Sequence, residues 1–248
     1  MSPLVSVIIP LFNSDGFMQR AVFSALNQSL KNIEIILIDD CSTDGALSTA
    51  RKLADQDPRI KVIALTENGG GGAARNAGIA KASGKFIAFL DADDLWEANK
   101  LETQISQMDD RGALLSYTDY SVLTEGGEVV RTVSTPDKVS YQNLLKDNVI
   151  GCSTVVYNCD ALGKRYFPLI RKRQDFALWL SVLRDVDYAH RCGPELTHYQ
   201  LRKGSVSANK LVAAVYTWRV YREVERLPFW EACYYFAHYA FLAVRKRM

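Results

Sequence analysis

Three aspartates within four positions close the run FIAFLDADDLW: Asp91, Asp93 and Asp94 follow five residues fit for a buried β-strand. Like charges this close repel, and each resists leaving water, so a positive partner is expected beside them. A D-x-D at the end of a buried strand suits a hard divalent cation, Mg2+ or Mn2+, which takes one or two carboxylates and completes its shell with substrate phosphates and water. Helix capping accounts for one aspartate of the three and leaves the others without a task. A second acidic pair, Asp39-Asp40, ends another apolar run, and the glycine run GGGGAA, Gly69 to Ala74, precedes Arg75. That run also satisfies G-x-G-x-x-A, the dinucleotide fingerprint, with Asp91 about twenty residues further on. A nicotinamide-dependent oxidoreductase is therefore one reading. Against it, Thr66, Glu67 and Asn68 separate the glycines from their strand, and Asp93 and Asp39-Asp40 are left without a role.

The elements that must position these residues can be read from the apolar pattern. Apolar runs at 4–10, 33–39, 59–65 and 85–90 alternate with helical patterns at about 15–28, 44–56 and 73–82. Continuous apolar strands alternating with helices predict an α/β fold whose parallel sheet is covered on both faces. Ligands bind beyond the carboxyl ends of such strands. The residues there are Phe12-Asn13, Asp39-Asp40, Asn68 to Arg75, and Asp91 to Asp94. After residue 110 the pattern loosens. A hairpin over 113–123 and 128–133 turns at Gly126-Gly127, and an apolar run follows at 153–157. Then come a helix at 174–184, a strand at 197–201, the polar loop RKGSVSANK, and a helical end interrupted at Pro228.

With 248 residues, 48% of them hydrophobic, the chain can bury one large core or two fused ones. A net charge of +2 does not mark a nucleic-acid binder, and none is expected as partner. Residues 201–248 carry nine Lys/Arg against three Asp/Glu. That imbalance suits a membrane surface, a phosphate-bearing substrate, or simply a solvated basic face. The five cysteines are scattered without a CxxC, which argues against a disulfide framework or zinc site and fits a reducing cytosol. The N-terminal apolar run is short, lacks a basic leader and is broken by Pro10, so it does not read as a signal peptide.

Taken together, VSVIIPLFN, IEIILIDDCSTDG, NGGGGAARNAGI, GKFIAFLDADDLW and RQDFALWLSVL resemble, in order and spacing, the family-2 glycosyltransferases of GT-A fold that build bacterial surface polysaccharides. The resemblance spans roughly residues 4–205. It implies a Rossmann-like, mostly parallel sheet flanked by helices, with a C-terminal helical extension. It implies an inverting, metal-dependent transfer from a nucleotide sugar, UDP-linked, to a saccharide acceptor that is lipid-linked. Residues 1–110 would form the donor half, 111–205 the acceptor half and 206–248 the extension. Carried over by position, Pro10, Phe12 and Asn13 would border the nucleotide pocket, Asp40 would meet the uracil, and Arg75 would reach the base or diphosphate. Asp91 would sit near the ribose and metal, and Asp93 would bind the metal, Mn2+ or Mg2+. Asp175 matches the catalytic base, where the family commonly has a preceding glutamate and this chain has Gln174. On its own, without the resemblance, Asp175 reads rather as an acid placed to favour a helix N-terminus. His198 is a candidate further metal ligand in related folds. The cluster Lys164, Arg165, Arg171, Lys172 and Arg173 would suit an acceptor's diphosphate or a solvated loop. A non-catalytic nucleotide-sugar-binding protein is the remaining alternative, and the joint presence of Asp93 and Asp175 weighs against it.

The tail PFWEACYYFAHYAFLAVRKRM is aromatic and ends on Arg245, Lys246 and Arg247. Sixteen helical residues from 229 to 244 reach about 24 Å, short of a roughly 30 Å hydrocarbon core. The tail therefore reads as a peripheral attachment to the inner face of the cell membrane, which places the chain in the cytoplasm. The competing expectation packs this helix on the catalytic core or on a second copy of the chain, as a homodimer.

Overall fold

Alternate residues of the first two strands enter different cores. The computed structural model describes residues 2–201 and 210–245. Its first half runs β1 (Val5–Leu11), α1 (Met18–Leu26), β2 (Ile33–Asp39), α2 (Ala46–Gln56), β3 (Ile60–Ala64), α3 (Gly70–Lys81), β4 (Phe86–Phe89), β5 (Leu95–Trp96) and α4 (Lys100–Arg111). The second half runs β6 (Leu115–Leu123), β7 (Val129–Val133), β8 (Lys138–Val139), α5 (Tyr141–Lys146), β9 (Val156–Asn158), α6 (Cys159–Leu162), α7 (Gln174–Val182), β10 (Ala189–Gln200), α8 (Lys210–Arg219) and α9 (Phe229–Arg245). Val5, Val7, Ile9 and Leu11 of β1 face one apolar cluster with α1, α2 and α4, whereas Ile8 faces a second cluster with α3 and α7. This two-residue period with both faces buried is what the continuous apolar runs encode.

Among the described residues the strands form one sheet in the order β3-β2-β1-β4-β9-β6-β10-β5, with β7 added to β6 and β8 to β10. β1 to β4 are parallel. β9 lies antiparallel between β4 and β6 and carries the sheet without a break from one half of the chain to the other.

Several elements differ from the sequence reading. α3 starts at Gly70 rather than near residue 73, because its first turn is made by the glycines themselves. α4 was not expected: its buried face includes Lys100 and Gln104 beside Leu101, Ile105 and Met108, which breaks the apolar period. Lys100 is fully buried with its ammonium 4.0 Å from the centre of the Trp96 ring. β10 begins at Ala189, eight residues before the expected 197, since Gly193 and Pro194 sit in it at register shifts. β5, β8, α5 and α6 are short elements without a periodic signature. The run at 153–157 divides into a 3-10 turn, Cys152–Thr154, and the start of β9. Residues 202–209 of the polar loop, and Lys246 and Arg247 of the basic end, lie outside the described residues.

The C-terminal extension is built into the core. Val220 and Tyr221 of a π-helical turn (Val220–Val224), with Leu227 and Ala232, belong to the same apolar cluster as Phe176 and Trp179 of α7. Glu225, buried beyond that turn, accepts from Tyr141 Oη at 2.5 Å and from Arg184 Nη2 at 2.6 Å. No helix among the described residues is long and apolar enough to cross a membrane.

Candidate active site

The parallel strands deliver their loops to one edge, and each loop is fixed there by polar contacts. After β1, Asn13 takes a left-handed backbone (φ 47°), and its Oδ1 accepts from the Thr43 N–H at 2.8 Å. Cys41, after β2, is left-handed as well (φ 61°). Asn13 thus stitches the first two loops together, while Phe12 beside it stays half exposed and Pro10 holds a place within β1. Left-handed residues other than glycine are strained, and they concentrate where a site over-determines the backbone.

Asp40 is buried, and its two carboxylate oxygens accept from the N–H groups of Gly69 and Gly70, each at 2.8 Å. A carboxylate just past the end of β2 therefore satisfies the open end of α3, which has no side-chain cap of its own. Gly70 is left-handed (φ 81°), and the two glycines after it leave room for neighbouring side chains. A Cβ on Gly72 would come within 2.8 Å of Gln174 Cδ, and one on Gly71 within 2.9 Å of Arg75 Nη1. The run is thus filled by protein side chains from two sides.

One turn further along α3, Arg75 forms an ion pair with Asp91, and its guanidinium lies 5.4 Å from the centre of the Phe167 ring. Burial opposes its charge, but Asp91 and Asp175 among its neighbours outweigh that and hold the arginine protonated beyond its usual range. Asp94 is buried and pushed well above the usual carboxylate range by desolvation and then by the charges of Asp91 and Asp93. Ser153 Oγ donates to Asp94 at 2.5 Å and accepts from the Asp91 N–H at 3.0 Å. The Ser153 carbonyl accepts from Trp96 Nε1 at 2.7 Å, and its N–H donates to Tyr199 Oη at 3.2 Å. This one serine therefore ties the aspartate loop to β5 and β10.

Asp175 is the second residue of α7, half-buried. Desolvation raises its carboxyl above the usual aspartate range, and Asp91 adds to that; the Phe176 N–H, Arg173 and Arg75 pull it back. Arg75 thus acts electrostatically on both Asp91 and Asp175 and joins the aspartate loop to the start of α7.

The sequence model described as "Glycosyl transferase family 2" matches residues 6–160. The chain belongs to that family. It is 41% identical over 247 residues to TuaG of Bacillus subtilis (strain 168), a glycosyltransferase named provisionally for teichuronic acid biosynthesis; the match covers 99% of this chain and 98% of TuaG. It is 36% identical over 244 residues to WfgD of Escherichia coli, a UDP-Glc:alpha-D-GlcNAc-diphosphoundecaprenol beta-1,3-glucosyltransferase, covering 98% of this chain and 94% of WfgD. Among solved structures, S. aureus TarS 1-349 in complex with UDP-GlcNAc superposes with a TM-score of 0.72 at 20% identity, over 95% of this chain and 71% of that one. The mannosyltransferase PcManGT of Pyrobaculum calidifontis, in complex with GDP-Man and Mn2+, gives 0.69 at 18% identity, over 92% and 66%. These likenesses give the fold: GT-A. The protein is an inverting glycosyltransferase, and the oxidoreductase reading of the glycine run falls with that finding.

In this glycosyltransferase, the donor set at the strand edge fits a divalent cation held jointly with phosphates. Asp91 and Asp93 offer hard oxygens, and Asp94, raised first by burial and then by their charges, adds a third carboxyl beside them. Among the described residues no three carboxylates, histidines or cysteines converge as a cage made of protein alone would require. His198 is committed elsewhere, with Nδ1 2.5 Å from Ser121 Oγ and Nε2 2.6 Å from Glu97 Oε1. The basic cluster is dispersed as well: Arg165 pairs with Asp185 at 2.7 Å and Lys164 donates to the Ala80 carbonyl. Sequence reasoning missed Ser153 and Tyr199. Each is a single polar residue whose partners lie dozens of positions away, and no spacing announces it.

Proposed function

We propose that this glycosyltransferase moves a sugar from a UDP-linked donor to a lipid-linked saccharide in surface-polysaccharide synthesis, with Asp175 as catalytic base. The observation that carries the reading is the meeting of Asp91, Arg75 and a half-buried Asp175 at one sheet edge. WfgD, named for a UDP-glucose donor and a diphosphoundecaprenol-linked acceptor, supports the substrate classes, and TarS bound to UDP-GlcNAc supports the donor. Pro10, Phe12, Asn13, Asp40, Arg75 and Asp91 line the nucleotide side. Asp40 reaches the base while keeping its two glycine N–H bonds, since a carboxylate has about four lone-pair sites. Residues 1–110 serve the donor, 111–205 the acceptor, and 206–248 the extension.

Asp93, with Asp91, would hold Mn2+ or Mg2+, and a bound cation offsets the charge that develops on the leaving diphosphate. Asp175 takes the proton of the acceptor hydroxyl as its oxygen bonds to the anomeric carbon. The bond from that carbon to the phosphate oxygen breaks on the opposite side, the nucleoside diphosphate leaves, and the configuration inverts. Arg75 offsets part of the repulsion between Asp91 and Asp175.

The outer face of α9 supports a peripheral place at the membrane. Trp230 is 73% exposed and Phe241 62% exposed, with Tyr234 between them on the same helical stripe. The inner face is packed on the core, as the competing expectation for this helix has it, and the outer face leaves room for the membrane reading proposed here. The test of the substrate reading is a melting-temperature panel of UDP- and GDP-sugars with and without Mn2+, run on the native chain and on Asp93→Ala. UDP-sugars should stabilise the native chain only with Mn2+, and the variant should lose that gain while melting normally without ligand. A metal-independent gain, or one kept by the variant, rules out the role given to Asp93.

A further inference from the structure

The residues on either side of Gln174 and Asp175 are both gripped by the C-terminal extension. Arg173, just before them, is left-handed (φ 61°, ψ 26°) at the start of α7 and has no side-chain cap there. Its Nη2 donates to Tyr239 Oη of α9 at 3.2 Å, and its guanidinium carbon lies 5.7 Å from the centre of the Tyr239 ring. Phe176, just after them, packs edge-on against Tyr221 with ring centres 6.1 Å apart, and Tyr221 lies 6.4 Å from Tyr235 of α9. Tyr221 is itself pinned by a hydrogen bond from its Oη to the Leu145 carbonyl.

We infer that Tyr239 is a positioning residue for sugar transfer: by holding Arg173 it fixes the backbone turn from which Asp175 is directed at the acceptor. The inference rests on Asp175 being the base. A left-handed arginine is an unfavourable backbone state that persists only where its surroundings enforce it. The hydrogen bond and ring contact to Tyr239 supply that enforcement from α9. Phe176, Tyr221 and Tyr235 anchor the other side through buried packing, so loss of Tyr239 frees the turn without dissolving the core. Tyr239 is half-buried in the third turn of α9, and its other ring contact is Phe236, 5.9 Å away on the same helix. The helix that presents Trp230 and Phe241 outward therefore presents Tyr239 inward to the catalytic segment.

The test uses the full chain in detergent, so that membrane attachment does not contribute. Transfer from UDP-glucose to GlcNAc-diphosphoundecaprenol is measured together with amide hydrogen exchange over residues 173–177. In Tyr239→Ala, kcat should fall by about tenfold to a hundredfold with donor KM and melting temperature nearly unchanged, as expected for a misplaced base. Exchange over residues 173–177 should quicken. Tyr239→Phe keeps the ring over Arg173 and should recover most of the loss. Adding Arg173→Lys, which keeps the positive charge that acts on Asp175, to Tyr239→Ala should cost little more, because the Arg173–Tyr239 contact is already lost. Unchanged exchange over residues 173–177 in Tyr239→Ala overturns the inference whatever the substrate. So does an unchanged kcat in an assay where Asp175→Asn abolishes turnover. If Asp175→Asn itself turns over normally, the base assignment fails instead.

Discussion

Two strands of the parallel sheet end on acidic residues, and the two groups are neutralised by different means. After β2, Asp40 gives its two oxygens to the backbone N–H groups of Gly69 and Gly70, while Asp39 accepts from the Ser42 N–H at 3.1 Å. Peptide N–H groups satisfy both oxygens of Asp40 and one of Asp39, whose Oδ1 stays buried without a partner. After β4, Asp91 has Arg75, Asp94 has Ser153, and the loop still drives Asp94 far above the ordinary carboxylate range. The first group is consumed in building the fold, apart from the lone pairs Asp40 keeps for the base, and the second is held chiefly by side chains, Arg75 and Ser153. A pair of adjacent aspartates looks the same in both places on paper. What separates them is which donors the fold brings to the pair.

The comparison can be broken most severely at Asp175, the acid that α7 adds to this edge. Asp175→Asn is nearly isosteric and should lower turnover by about two to four orders of magnitude with donor affinity almost unchanged. Its folded carboxyl titrates above the unfolded value, so the folded state binds the proton more tightly and the ionised group works against folding at neutral pH. The variant should accordingly melt no lower than the native chain at pH 7, which calorimetry would show. A lower melting point with intact turnover would move Asp175 into the consumed class.

Asp40→Ala probes that class directly. It orphans the Gly69 and Gly70 N–H groups, and the chain should lose about 1–3 kcal/mol of stability by urea titration, with or without ligand. Donor affinity should fall as well, because the proposed function also gives Asp40 the base; a variant that keeps full stability would show that the two glycine N–H bonds are dispensable.

The smallest effect sharpens the contrast. Gln174→Glu adds a negative charge beside Asp175 and should raise its pKa further. The base must be ionised to act, so the acidic limb of kcat against pH, already above that of an ordinary aspartate, should move to higher pH. The opposite shift would mean that the new carboxylate reaches a cation before it reaches Asp175.

The same contrast explains what could be read in the sequence. β1 to β4 were legible nearly to the residue, because strands buried on both faces give unbroken apolar runs, and the edge they define gathered Phe12, Asp40, Arg75 and Asp91. The start of α3 was misplaced because its first donors are satisfied by Asp40, some thirty positions earlier, and helix-start rules look only at neighbouring residues. α4 escaped because Lys100 and Gln104 are polar and buried. Ser153 and Tyr239 escaped because their value lies in partners that only the tertiary fold supplies.

The glycine run has a further consequence, for the order in which the molecule assembles. Gly70 to Gly72 are poor helix formers, each disfavouring the helical state by about 1 kcal/mol relative to alanine. The first turn of α3 therefore gains little from local preference and waits for the Asp40 carboxylate. That carboxylate reaches its place only when β2 has paired with β1, through contacts distant in sequence. Long-range pairing of this kind is slow, since chain must be closed before the contact rewards it. The donor-side loop should accordingly be among the last parts of the sheet edge to become ordered as the chain folds.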